Sequence, residues 1–162
     1  MACRVHNLNN KILKLREFMA NEEFQVKDDN VRNSLTKLLK LKEIIGNLDM
    51  DIHFLASHLA NSYLKKKHGI SIDLDKPVGS SGLDIELEQI VAEIKTTSPY
   101  LENDFGAKQK ETIKKDLERL DNSSEKYRYF FVVDSKTERI LKQRYSKHYP
   151  SVNIVNLMND AI

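Results

Sequence analysis

The stretch YRYFFVVD at 127–134 constrains this chain more than any other feature. A strand with one wet face alternates apolar and polar residues; this one is apolar almost without a break, so it reads as an interior strand covered on both faces. Such a strand demands helices above and below a sheet. At 162 residues the chain is about one ordinary domain, able to hide roughly two thirds of the surface it exposes when unfolded, so a true core is affordable without staples.

The flanking sequence supplies the layers. Leu8, Ile12, Leu15, Phe18 and Met19 recur three and four apart, as do Val31, Leu35, Leu38, Leu39, Leu41, Ile44 and Ile45. This predicts helices over 8–21 and 28–45, the second capped by Asp28 or Asp29 and stopped by Gly46. A third helix is expected over 49–67, with Ile52, Leu55, Ala56, Leu59 and Tyr63 on one face and His68-Gly69 as its end. Beyond Gly69 the period changes to two. ISIDL at 70–74 alternates, DKPVGSSG at 75–82 is turn chemistry, and LDIEL at 83–87 and QIVAEIKTT at 89–97 are two strands joined tightly near Glu88 and Gln89. A helix over 106–120 sets Ile113, Leu117 and Leu120 against a lysine-rich face. Ser135 then caps a helix over 135–149, and VNIVNL at 152–157 forms a last strand. The expected class is α/β or α+β, a mixed central sheet flanked by helices. Residues 1–46 are a helical extension on a core at 47–162, the two forming one compact domain.

Composition excludes more than it assigns. The formal charge of +2 is too small to identify a nucleic-acid partner by itself. One cysteine, Cys3, cannot form an internal disulfide, and His6, His53, His68 and His148 lack metal-ligand spacing. The start MACRVHNLNNKILKL has no apolar signal region, and no apolar run approaches the ~18 residues of a membrane span, so a reducing, cytoplasmic setting without a membrane is expected.

The chemistry concentrates in the middle. Residues two apart on a strand share a side, so Glu93 and Lys95 project together while Ile90, Ala92 and Ile94 take the other face as core. Pairing across the turn at Glu88 and Gln89 sets Asp84 opposite Glu93, within one cross-strand neighbour. Two carboxylates and an ammonium then converge at one end of the sheet. The carboxylates repel one another, and burial worsens this unless a cation compensates; all-oxygen ligands favour a hard ion such as Mg²⁺. A lysine alongside could orient or deprotonate a water and stabilise charge developing on phosphorus. Asp134-Ser135-Lys136 repeats the acid-x-lysine spacing, but there an acid and a serine before a helix read as capping.

This set resembles the PD-(D/E)XK nucleases, which include most type II restriction endonucleases, archaeal Holliday-junction resolvases and several repair nucleases. SGLDI supplies Asp84 and AEIK supplies Glu93 and Lys95, with eight residues between the two acids and Leu83 in place of the motif's proline. The element order over about 49–157 resembles the family's restriction-endonuclease-like αβββαβ core. The resemblance implies Asp84 and Glu93 as metal ligands, joined by the backbone carbonyl of Ile94, and Lys95 as the catalytic lysine. It implies Gln109 as a polar site residue on the following helix, and Mg²⁺, replaceable by Mn²⁺, as cofactor. Many members add an acid from the first core helix; here Asp49 and Asp51 lie at its start, and His58 nearer the expected depth.

The implied partner is double-stranded DNA, with phosphate contacts from Lys108, Lys110, Lys114 and Lys115 and from Arg32, Lys37, Lys40 and Lys42. The loops at 75–82 and 96–105 are candidates for reading bases. Two cuts at a two-fold symmetric site need two active sites, which makes a type II restriction enzyme a homodimer, its N-terminal helices an interface or a DNA-embracing arm. A junction resolvase or repair nuclease of the same fold, or a non-catalytic DNA-binding subunit of a larger nuclease, are the alternatives.

Overall fold

The computed structural model describes residues 2–21, 31–72 and 82–160, with the side chains of residues 2–4, 31, 32 and 160 left aside. The chain divides into two compact units, Met1–Asp51 and Ile52–Ile162.

In the first unit, α1 (Ala2–Asn21) packs on α2 (Val31–Ile45), and α3 (Leu48–His68) begins. Gly46 ends α2 as the sequence predicts: its φ of 58° is left-handed, and its N–H donates to the Lys42 carbonyl at 2.9 Å. The expected caps Asp28 and Asp29 lie outside the described residues. No described side chain of α1 or α2 is buried, and Ile12, Met19, Leu35 and Leu39 are each more than half exposed.

The second unit carries the sheet. Its strands are β1 (Ile85–Glu86), β2 (Ile90–Lys95), β3 (Tyr127–Val132) and β4 (Val152–Asn156), in that spatial order. β1 and β2 are antiparallel, while β2–β3 and β3–β4 are parallel, the crossovers being α4 (Ala107–Asp121) and α5 (Ser135–Arg144). A single turn, α6 (Leu157–Asp160), follows β4. The apolar run at 127–134 is thus an interior strand, as expected. Tyr129 and Phe131 face one layer with Ile90, Ala92 and Ile94 of β2 and Ala56, Ala60 and Leu64 of α3. Phe130 and Val132 face the other layer with Val91 and with Ile113, Leu117 and Leu120 of α4 and Ile140 and Leu141 of α5.

Three sequence expectations change. ISIDL contributes no strand within 70–72, the part that is described; the Ile72 N–H goes instead to the Asn61 side chain at 2.9 Å, and Ile70 and Ile72 lean on the first core layer. On α3, Leu55 is 46 % exposed, because the spacing Ala56, Ala60, Leu64 sets the stripe that meets the sheet. The helix predicted over 135–149 stops at Arg144, and its cap is Asp134 rather than Ser135: the Asp134 carboxylate accepts the Thr137 N–H at 2.7 Å. No helix among the described residues is long and apolar enough to cross a membrane.

Candidate metal site

The hairpin of β1 and β2 positions the acids. Leu87 and Ile90 exchange both backbone hydrogen bonds, 2.8 and 3.3 Å, so Glu88 and Gln89 form the two-residue tip expected from the sequence. The register Ile85↔Ala92, continued one residue outward, sets Asp84 against Glu93. Before it, Gly82 turns the chain at a φ of 108°, and a Cβ there would come within 2.6 Å of the Glu86 carboxylate, which accepts the Leu83 N–H at 2.8 Å. A glycine is required at that turn.

Asp84 then bonds the hairpin itself. Its Oδ2 accepts the Ile94 N–H at 2.8 Å, and its Oδ1 lies 3.4 Å from His53 Nε2 on α3. Burial by itself would raise the Asp84 carboxyl, but the contact with His53, the Ile94 N–H and the charges of His53 and Lys95 outweigh it and hold the group below the ordinary carboxylate range. Because a strand residue sends its N–H and C=O to the same side, the Ile94 carbonyl also points toward the β1 edge, beside Asp84.

Glu93 is the anomaly. Its Oε2 is buried with no hydrogen-bond partner. Burial, then the charges of Asp84 and Asp116, push its pKa up to about 7 despite Lys95 and Arg119. An orphaned buried carboxylate oxygen beside a second carboxylate and a strand carbonyl is a donor set that fits a hard divalent cation such as Mg²⁺. Asp84, Glu93 and the Ile94 carbonyl are the groups that would hold it. Among the described residues, no group of three or more His, Cys, Asp or Glu side chains is arranged to hold a metal ion.

Lys95, on the same face as Glu93, is bound elsewhere: its Nζ lies 2.5 Å from Asp116 Oδ2 of α4. Asp116 is only 4 % exposed, and its other oxygen is 3.5 Å from Arg119 Nη2, while Arg119 Nη1 donates to the Gly82 carbonyl at 2.9 Å. Lysine, buried aspartate, arginine and the turn before Asp84 form one chain of contacts.

Other expected site residues are placed differently. Gln109 sits at the start of α4, its Oε1 accepting the Gly106 N–H at 3.0 Å and its Nε2 donating to the Ser98 carbonyl at 2.9 Å. It fastens the loop after β2 to the helix, two turns or roughly 10 Å along the axis from Asp116. Asp51 pairs with Lys11 in the first unit, and Asp49 is exposed. The His58 Nε2 is buried without a partner, its ring set edge-on to Phe54 at 4.7 Å. Lys110 pairs with Asp104 at 2.6 Å, Lys114 with Glu118 at 3.5 Å and Lys115 with Glu111 at 2.9 Å; Lys108 is exposed. Lys37 is half-buried on α2 in the first unit, and the Arg32 side chain lies outside the described residues.

Asp116 escaped the sequence reading, and His53 entered it only as a histidine without metal-ligand spacing, although a signal existed. Asp116 is three residues after Ile113 and four before Leu120, and His53 is three before Ala56, so both occupy the apolar stripes of their helices. A charged or polar residue on such a stripe is buried and must find a partner. Comparison of the chain with protein-family models, curated proteins and solved structures gave no match.

Proposed function

We propose that this chain hydrolyses DNA phosphodiester bonds with Mg²⁺ as a PD-(D/E)XK-type endonuclease, acting as a type II restriction enzyme on double-stranded DNA. The observation that carries this reading is Glu93: a buried carboxylate oxygen without a partner, set beside Asp84 by the hairpin register, with Lys95 on the same strand face. A stabilising role does not account for it, since an unsatisfied buried acid costs stability unless something binds it. The mixed four-stranded sheet between helical layers is compatible with the family's core.

A bound Mg²⁺ would neutralise phosphate charge and lower the pKa of a coordinated water. Asp84 and Glu93 would hold the cation, with Asp84 oriented by the hydrogen bond it accepts from the Ile94 N–H. The Lys95 ammonium would stabilise the negative charge that grows on the phosphorane oxygens. Lys108 and Lys114, on exposed turns of α4, supply non-specific phosphate contacts, and the loop tip exposing Tyr100 and Leu101 is the candidate for base contacts. The second active site comes from a second copy, docked through the uncovered apolar side chains of α1 and α2.

The test is digestion of plasmid DNA with Mg²⁺ by the purified chain and by Glu93→Ala and Lys95→Ala. Discrete, sequence-determined fragments from the wild type, lost in both variants, are expected. Cutting confined to branched or damaged DNA moves the assignment to a resolvase or repair nuclease, and full activity in the variants removes it.

A further inference from the structure

We infer that Asp116 is a positioning residue that holds Lys95 away from Glu93 and so keeps the Glu93 carboxylate open to a divalent cation. The inference rests on the metal reading of Asp84 and Glu93.

Glu93 and Lys95 are two apart on β2 and share its α4-facing side, a separation of roughly 6.6 Å along the strand. A lysine stem spans that distance with ease, and a buried carboxylate is the strongest partner a buried ammonium can find. Left alone, the two would close into an ion pair along one strand. Yet Glu93 Oε2 has no partner, while the Lys95 Nζ sits 2.5 Å from Asp116. The competition has been settled by a third group. Asp116 wins because it is better placed: 4 % exposed, it lies on the buried stripe of α4 between Ile113 and Leu117, and Arg119 braces its second oxygen from 3.5 Å. Arg119 also binds the Gly82 carbonyl, so the brace is tied to the turn that delivers Asp84. Lys95 is thereby near enough to serve a reacting phosphate and too well bound to occupy the metal's oxygen.

Ordinary electrostatics gives a different expectation. If Asp116 were only one more negative charge near a cation, its removal would weaken cation binding by the same factor whether or not Lys95 is present. If it sequesters Lys95, its removal harms binding only through Lys95, and the two substitutions are non-additive.

The experiment is calorimetric titration of the full, DNA-free chain with MnCl₂. The proteins are the wild type, Asp116→Asn, Asp116→Glu, Lys95→Met and the double variant Lys95→Met with Asp116→Asn, with circular dichroism confirming that each is folded. Asp116→Asn is nearly isosteric; Asp116→Ala provides a second test, because the asparagine oxygen can still accept one hydrogen bond. Removing the Asp116 charge should weaken Mn²⁺ binding about tenfold or more in the wild-type background and less than about twofold in the Lys95→Met background, with Asp116→Glu recovering most of the loss. Equal losses in both backgrounds, or no loss in either, overturn the sequestration. A wild type that binds no Mn²⁺ overturns the metal reading, and this inference with it; a wild type that binds while Asp116→Asn and Asp116→Ala bind equally well overturns this inference alone.

Discussion

The molecule carries two acid-x-lysine tripeptides at the same end of neighbouring parallel strands. Glu93-Ile94-Lys95 closes β2, and Asp134-Ser135-Lys136 follows β3, whose Val132 lies level with Lys95. Their carboxylates have opposite fates. Asp134 Oδ2 accepts the Thr137 N–H at 2.7 Å and lies 2.8 Å from the Thr137 hydroxyl, so the acid is spent on opening α5. Glu93 keeps an oxygen that nothing satisfies. The spacing of residues is the same; the backbone is not. In an extended strand the lysine returns to the acid's side, whereas at a helix start the acid folds back onto the first turn. An unspent carboxylate, more than the tripeptide, marks the candidate site.

The contrast can be broken by exchanging roles. Alanine at Glu93 or Lys95 should lower plasmid cleavage by at least about 1,000-fold, some 4 kcal/mol of transition-state stabilisation, while alanine at Asp134 or Lys136 should change it less than about threefold. Comparable losses at both tripeptides would dissolve the distinction.

A smaller effect concerns pH in the metal-free protein. The folded-state pKa of Glu93, about 7, lies above its ordinary value of 4.5. The folded state therefore binds the proton more tightly, and the stability this gives is complete below pH 4.5 and lost as pH rises through 7. In chelator, chemical denaturation should show wild-type stability falling by up to about 3 kcal/mol across that window, and Glu93→Gln should flatten the slope. Asp84, held low, runs the other way and contributes stability that disappears on acidification. A wild-type profile as flat as that of Glu93→Gln would mean that Glu93 is not strained.

Asp134→Ala should cost about 1 kcal/mol as a lost helix cap, a fall of a few degrees in Tm, without altering cleavage. Smallest of all, Gln109→Ala should cost about 0.5–1 kcal/mol by freeing the loop at Ser98 and Gly106, read as faster amide exchange there. A loss of cleavage matching that of Glu93→Ala would instead place Gln109 in the reaction.

Much of the hairpin was legible because a single period governs it. Alternation sorted Ile90, Ala92 and Ile94 from Glu93 and Lys95, and turn chemistry at Glu88 and Gln89 then fixed which residue faces Glu93. The interior strand announced itself by lacking alternation. What the sequence hid was tertiary choice. Nothing local says that Lys95 pairs with Asp116 and not with Glu93, since Asp116 lies on the crossover helix, 21 residues beyond Lys95. Gln109 looked like a site residue by resemblance, whereas local chemistry, a glutamine at the third helical position, marks it as part of a capping arrangement. ISIDL alternates like a strand, yet Asn61 offered the Ile72 N–H a nearer acceptor than any ladder.

The hydrogen bond from the Ile94 N–H to Asp84 has one more effect. β1 is only two residues long, too short to fix by itself how the hairpin lines up. By taking the place of the next ladder bond, the Asp84 carboxylate acts as a key that fits one alignment alone. A slip of β1 by one residue would move Asp84 out of its place opposite Glu93 and separate the two acids. If Asp84 and Glu93 bind a divalent ion as proposed, that ion would hold only chains that had paired correctly.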